Sequence, residues 1–200
     1  MRSLYLAGLA YLAFSGLSLT KDALRAAPAG PASSFRGYGG ARWFAAARPY
    51  CNALEVSQHL ARNPPPGGWD GAGYAAACQA LAGHIPEARR LIAALPSVSR
   101  TSAAAIVFDV GHPVADLGGD VAAAPFMELV LEFWPDNEPA LFHAGMADHA
   151  LGKQASARAR LERFRAIDHR GDASDRAARK ALDRIARGLP ADPGYSTGHE

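Results

Sequence analysis

An alanine that recurs at a nearly constant interval is the feature of this chain that most constrains its fold. The steps are 35, 35 and 34 residues, and the positions are Ala53, Ala88, Ala123 and Ala157. A fixed period of about 34 residues is typical of stacked supersecondary units, each packed mainly on its neighbours. The sequence therefore predicts four consecutive units that share one local structure.

Two further positions keep the same phase and indicate what each unit contains. Five residues before the alanines, where a first helix should end, stand Arg48, Gly83, Gly118 and Gly152. Glycine readily adopts the left-handed conformation that closes a helix. Twelve residues before the alanines the side chains are small, at Ala41, Ala76, Gly111 and Gly145. Small residues let two antiparallel helices approach closely, so each unit is predicted to be a helix pair.

These units resemble the tetratricopeptide repeat, whose pattern is W-x2-L-G-x2-Y, then A-x3-F, then P. The third unit has Val107, Val110-Gly111, Val114, Ala123, Met127 and Pro135 at those positions. The fourth has Leu141, Ala144-Gly145, Asp148, Ala157 and Leu161, with His169 in place of proline. Units two and one keep progressively less of the pattern. The resemblance covers residues 35–169 and implies an all-α, antiparallel helix-pair solenoid. The alternative is a bundle of alanine-rich helices that matches the period by chance.

Pro113 departs from the repeat pattern, because it falls inside the predicted first helix of the third unit. A proline in a helix removes one backbone hydrogen bond and crowds the preceding turn. The sequence therefore predicts a kinked or shortened helix around Gly111-His112-Pro113.

The resemblance also implies a binding surface, because the first helices of such repeats line the inner face of the solenoid. That face would carry Phe35, Tyr38, Arg42, Asp70, Phe108, His112, Phe142, Met146 and His149. A mixed apolar surface of this kind would suit an apolar helix or an extended hydrophobic segment of a partner protein. Alternatively, a neighbouring helix or the chain's own linker fills the groove.

The two ends of the chain differ from the repeats. Residues 3–20 carry no charge and are apolar on every face, and about 18 residues is the lower limit for crossing a bilayer. Residues 1–25 are predicted to be a retained membrane anchor, with a cleaved secretory signal or a buried extra helix as alternatives. A linker would follow at 26–34. Residues 172–188 are predicted to form a capping helix, and 189–200 a disordered tail.

Charge and cysteine content limit the partners. The net charge of +2 argues against general binding to nucleic acid. Residues 153–187 have 11 basic and 5 acidic side chains, whereas 27–152 have 7 and 11, so a basic end follows an acidic body. That end could face anionic lipid or an acidic partner, or be a solvated arginine-rich face. Cys51 and Cys78 could form one disulfide in an oxidising compartment, or be small buried residues in a reducing one.

Catalytic and metal-binding motifs are missing from the sequence, which has no H-E-x-x-H, C-x-x-C, G-x-S-x-G or phosphate-binding glycine loop. Asp109, His112 and Asp116 have helical spacings of three and four, but Pro113 interrupts the helix that would align them. The sequence therefore predicts no catalytic residue, no metal site, no cofactor and no enzymatic activity.

The function that these features predict is a non-catalytic, membrane-tethered scaffold or assembly factor that contacts subunits of an envelope or membrane complex. The composition suggests a bacterium of high genomic GC content. A single-pass protein of the inner membrane with its repeats in the periplasm is expected. One alternative is a permanent accessory subunit of a large membrane complex. The other is a metal-binding or enzymatic domain built on Asp109, His112 and Asp116.

Overall fold

The computed structural model describes residues 39–168 and 170–192, and this part of the chain is all-α, as predicted, with no strand. The elements are α1 Gly40–Ala47, a 3-10 helix Arg48–Tyr50, α2 Val56–Arg62, α3 Trp69–Leu81, α4 Ile85–Ala93, α5 Ser97–Asp116, α6 Asp120–Phe133, α7 Glu138–Ala150, α8 Gln154–Ile167 and α9 Ala173–Ala186. The arrangement is consistent with a helical solenoid. None of the described helices has the length and apolar character needed to cross a membrane. The predicted anchor at 1–25 and linker at 26–34 lie outside the described residues.

Three helix pairs, α3–α4, α5–α6 and α7–α8, are closed by turns of the same geometry. Each turn has three residues, and its central glycine, Gly83, Gly118 or Gly152, has a φ of 79°, 88° or 74°. In each turn the glycine N–H donates to the carbonyl three residues back, and the next N–H to the carbonyl five residues back. These two bonds satisfy carbonyls that the helix end leaves unpaired. The glycines predicted as turn residues therefore end the first helix of each pair.

The small residues at the predicted positions allow close helix approach in the last two of these pairs. A Cβ atom added to Gly111 would lie 2.6 Å from Cδ1 of Phe126 on α6, and one added to Gly145 would lie 2.8 Å from Cδ2 of Leu161 on α8. The recurring alanines Ala88, Ala123 and Ala157 are fully buried. In these two pairs the first helix therefore contributes a glycine, and the second a buried alanine, to the contact between the two helices.

The first unit does not follow the repeat, and the predictions for Ala41 and Ala53 are wrong: both side chains are exposed. The reason is the residue at the turn. Arg48 has a φ of −50°, so the chain continues from α1 into the 3-10 helix, and Ala53 falls in the following turn. A disulfide between Cys51 and Cys78 joins this region to α3, with the two Cα atoms 4.8 Å apart.

The predicted shortening of the helix at Pro113 is wrong, because α5 continues three residues beyond it to Asp116. The carbonyl that loses its hydrogen bond belongs to Asp109, four residues earlier, and Asp109 is exposed. Solvent can hydrate that carbonyl. Proline is tolerated here because it falls in the last turn and a half of the helix, on its solvent side.

Helix α9 corresponds to the predicted C-terminal helix and packs on the last pair. Asp172 is its N-cap, accepting from the N–H groups of Ser174 and Asp175, and Gly188 ends it with a φ of 67°. Its apolar stripe joins a core that also includes side chains of α7 and α8, and the α9 members are Ala178, Ala181 and Ile185. The exposed faces of α9 carry most of its arginines.

A valine at Gly145 tests whether the close approach of α7 to α8 is required. We expect Gly145→Val to lower the free energy of unfolding by about 1–3 kcal/mol, because the new side chain must displace the fully buried Leu161. Urea unfolding followed by circular dichroism measures this. Ala150→Val, at an exposed position of the same helix, is the control and should cost less than about 1 kcal/mol. Equal losses would contradict the packing argument.

The contact of α9 with α8 should weaken in acid. Hydrogen bonds from Arg179 and then Arg165 lower the pKa of Asp175 below its ordinary value of 3.8. A carboxyl with a lowered folded-state pKa stabilises the fold above its ordinary pKa, and that contribution is lost as the pH falls through the folded value. Urea midpoints measured from pH 6 to pH 2 should fall less steeply for Asp175→Asn than for wild type. Asp183→Asn, in an exposed pair on the same helix, should leave the slope unchanged.

Candidate functional site

Two histidines and a carboxylate converge where α5 meets α7. His112 and Asp116 lie one turn apart on α5, and His143 comes from α7. The Nε2 atoms of the two histidines are 3.2 Å apart. Asp116 Oδ1 lies 3.3 Å from Nε2 of His112 and 3.5 Å from Nε2 of His143. Three potential ligand atoms therefore form a nearly equilateral triangle, an arrangement that could hold a metal ion.

A second carboxylate orients the buried histidine of this triangle. Asp120, the first residue of α6, places Oδ1 2.7 Å from Nδ1 of His143, and both side chains are buried. Since a carboxylate accepts, the Nδ1–H of His143 donates to Asp120. The lone pair of Nε2 in the neutral ring then points into the triangle.

Aromatic rings hold both imidazoles in place. Phe108 stacks on His112 with ring centroids 4.5 Å apart, and Phe142 meets His143 edge-on at 5.1 Å. His143 is buried, whereas His112 and Asp116 are partly exposed. The cluster is thus preorganised on its inner side and reachable from solvent on its outer side.

The sequence identified only part of this cluster. His112 and Asp116 converge despite Pro113, which the sequence suggested would prevent it. Asp109, the third residue of the alternative metal-binding hypothesis, is exposed and is not part of this cluster. His143 was missed because it lies on another helix. The signal that could have identified it is the spacing of 31 residues between His112 and His143. This spacing is shorter than the period of about 34 residues by about one helical turn. Side chains so related lie near each other on successive, equivalent helices.

A cleft of about 470 Å³ lies next to the cluster, between the α5–α6 turn, α7 and α9. Asp120 lines it too, so the cleft and the cluster share a side chain. Its wall is largely apolar, and the apolar lining residues are Val121, Ala122, Met146, Ala150, Ala177, Ala181 and Ala191. The charged lining residues already have partners: Lys180 pairs with Asp192 at 2.6 Å, and Arg184 donates to the carbonyl of Pro190. Leu117 and Leu151, which adjoin lining residues in the chain, are exposed.

His149 contributes the one buried polar atom of the cleft wall that lacks a partner among the described residues. Its Nδ1 lies 3.1 Å from the Gln154 side-chain oxygen, which accepts, so Nδ1 carries the proton. Nε2 is then a buried acceptor, and it has no hydrogen-bond partner in the described ranges. Buried polar atoms are nearly always paired in folded proteins. This acceptor is therefore one of two exceptions among the buried side-chain atoms of the described residues, the other being Oδ2 of Asp168.

The predicted inner-face residues do not form one open groove. Phe35 and Tyr38 lie outside the described residues, Arg42 is exposed, and Asp70 is half-buried and accepts from the Gly40 N–H. Phe108 and His112 belong to the histidine cluster. Phe142, Met146 and His149 are buried: Phe142 packs on Phe164 of α8, Met146 joins the core that includes α9, and only Met146 and His149 border the cleft. Packing of α8 and α9 removes most of that face from solvent.

No protein family, curated protein or solved structure matches the chain significantly.

Proposed function

We propose that this chain is a non-catalytic scaffold of the tetratricopeptide type that is tethered to the bacterial inner membrane. It binds an apolar segment of a partner protein in the cleft between α7 and α9. The partner is a subunit of an envelope or membrane complex, and the scaffold serves its assembly or stability. The single observation that carries this proposal is the apolar cleft between α7 and α9.

The repeated turn geometry supports the tetratricopeptide assignment. Three successive pairs end their first helices with the same glycine conformation and the same two hydrogen bonds, at intervals of 35 and 34 residues. Repeats of this kind work by presenting a surface for protein contact. The degenerate first unit, held by a disulfide, takes the place of a regular terminal repeat.

The chemistry of the cleft indicates what kind of segment it accepts. Its apolar wall favours aliphatic side chains. Because Asp192 already pairs with Lys180 beside this wall, the cleft does not call for an acidic residue in the partner. An apolar helix end or an apolar extended strand meets the requirement of the wall.

The disulfide supports the proposed location. Disulfides form and persist in the periplasm and are rare in the reducing cytoplasm. A bridge between Cys51 and Cys78 therefore suits repeats exported across the inner membrane. The uncharged segment 3–20 is the proposed tether.

Site-specific photo-cross-linking in living cells tests the proposal. A photoreactive phenylalanine analogue replaces Val121, which lines the cleft and is 46% exposed, or Val98, which is 87% exposed on the first turn of α5 and lies outside the cleft. We expect discrete cross-linked partners from position 121 and none of them from position 98. Identical products from both sites, or no product from position 121, would overturn the proposal.

A blocking variant separates binding in the cleft from mere proximity. Ala122→Trp places a large ring at an exposed lining position, and Ala186→Trp does so at an exposed position of α9 outside the cleft. Purification from native membranes in mild detergent should lose the partner with the first variant and keep it with the second. Washing with salt then distinguishes an adaptor, which dissociates, from a permanent subunit, which stays. The intact mass of the chain shows whether about 29 residues have been cleaved, which would replace the tether by an export signal.

A further inference from the structure

We infer that His112, His143 and Asp116 form a Zn²⁺ site that joins α5 to α7, with Asp120 as the residue that positions His143. The inference goes beyond the proposed scaffold and does not depend on it. It rests on the distances within the triangle, on the hydrogen bond that aims His143, and on the donor set.

The size of the triangle matches a tetrahedral ion. Zinc bonds of about 2.0–2.1 Å place the ligand atoms of a tetrahedron about 3.3–3.4 Å apart. The three edges here are 3.2, 3.3 and 3.5 Å. An octahedral ion with bonds of about 2.1 Å would bring neighbouring ligands to about 3.0 Å. The observed edges therefore favour a tetrahedral ion over an octahedral one.

The donors also fit zinc. Two imidazole nitrogens and one carboxylate oxygen are among the ligands that Zn²⁺ takes most often, whereas Mg²⁺ and Ca²⁺ prefer oxygen alone. Three protein ligands occupy one face of the tetrahedron. The fourth position would be left for a water molecule, which can reach the site because His112 and Asp116 are partly exposed.

Asp120 gives the buried ligand the support that metal-bound histidines usually have. A histidine ligand commonly donates its other ring N–H to a carboxylate, which fixes the tautomer and the ring orientation. The bond of 2.7 Å from Nδ1 of His143 to Asp120 is of this type, and Asp120 comes from a third helix. One ion would therefore link α5 and α7 directly, and α6 through Asp120.

A hydrogen bond between the imidazoles is the competing explanation of the short contact. If the ring of His143 is neutral and its proton lies on Nδ1 toward Asp120, Nε2 of His143 and Asp116 Oδ1 are both acceptors and lie 3.5 Å apart. Only an Nε2–H of His112 could then bridge them. If the contact is only a hydrogen bond between the imidazoles, the chain should take up no metal. A metal-binding measurement therefore separates the hydrogen bond from the zinc site.

The test uses the full chain with a peptide tag that contains no histidine, purified in mild detergent, stripped with EDTA and kept free of thiol reductants. Calorimetric titration with Zn²⁺ should show one ion per chain, and Mg²⁺ should show none. Co²⁺ in the same site should give the intense visible absorption of a tetrahedral complex. At a free Zn²⁺ concentration of about 100 times Kd, the melting temperature should rise by roughly 5–10 °C.

Variants assign the binding to these residues. His112→Asn and Asp116→Asn, both at partly exposed ligands, should weaken Zn²⁺ binding by more than the roughly 10–100-fold expected for loss of a supporting residue. Asp120→Asn should fall within that 10–100-fold range and keep the tetrahedral Co²⁺ spectrum. His84→Asn, at a histidine in the α3–α4 turn outside the cluster, is the control and should bind as wild type does.

Two results would overturn the inference: no stoichiometric Zn²⁺ uptake by the folded wild-type chain, or uptake that His112→Asn and Asp116→Asn leave unchanged. Circular dichroism of each stripped variant shows whether it is folded, so that loss of binding is not loss of structure. Because cross-linking from position 121 does not require an ion, failure of the zinc site and failure of the scaffold proposal give different results.

Discussion

Replacing Arg160 by methionine should lower the free energy of unfolding by about 3 kcal/mol, because it leaves a buried carboxylate without its main cation. Asp148 of α7 is only 2% exposed, and Arg160 Nη1 donates to its Oδ2 at 2.7 Å. Ser156 also donates to Oδ2. Nζ of Lys153 lies 3.5 Å from Oδ1, but the lysine side chain is exposed. These two remain in the variant but cannot neutralise the buried charge as closely.

The measurement is urea unfolding at pH 7, accompanied by a thermal melt that should shift by roughly 6–12 °C for a chain of this size. Arg163→Met is the matched control on the same helix. Its pair with Asp136 is short, at 2.6 Å, but both side chains are 57% exposed, and such pairs contribute less than about 1 kcal/mol. If the two variants lose equal stability, burial of Asp148 is not what makes the first pair important.

Removing the disulfide should have an effect of similar size at the other end of the stack. Closing a loop of 27 residues stabilises a fold by about 3 kcal/mol, mainly by restricting the unfolded chain. The double variant Cys51→Ala, Cys78→Ala should lose that amount. The reason it matters here is that the first unit has no turn glycine: the bridge fixes the chain after the 3-10 helix against α3.

Chemical reduction provides the control for this prediction. Dithiothreitol should lower the urea midpoint of the wild-type chain to that of the double variant and leave the variant unchanged. Hydrogen exchange should show faster opening of α1 and α2, while α7 and α8 stay protected, because separate regions of a fold can open locally. A wild-type midpoint that is insensitive to reduction would contradict the prediction.

Sequence reasoning succeeded where one residue governs its own backbone. Gly83, Gly118 and Gly152 were predicted as turn residues, and each has the positive φ that glycine alone adopts without strain. The same reasoning explains its failure in the first unit. Arg48 occupies the position that corresponds to those glycines, but a positive φ is strained for arginine, and its φ is −50°. The period is therefore present in the sequence of the first unit but not in its structure.

Most of the candidate site could not be predicted, because a single segment of sequence does not show which side chains of different helices will be close together. His112 and Asp116 are neighbours on α5 and could be paired from their spacing, but His143 and Asp120 come from two other helices. Likewise, the inner-face prediction places Phe142 in a groove, yet the structure buries this ring against Phe164 of α8.

The sequence by itself determined the helical class, the period and the glycine turns of the last three pairs, because hydrophobic spacing and the conformational freedom of glycine act over a few residues. Only the tertiary structure decided which faces of those helices remain exposed and which side chains meet. A triangle with edges of 3.2 to 3.5 Å depends on the relative placement of α5 and α7. The orientation of the His143 ring depends in addition on α6, which supplies Asp120. Such placement is the sum of many packing contacts, each too weak to be recognised in the sequence alone.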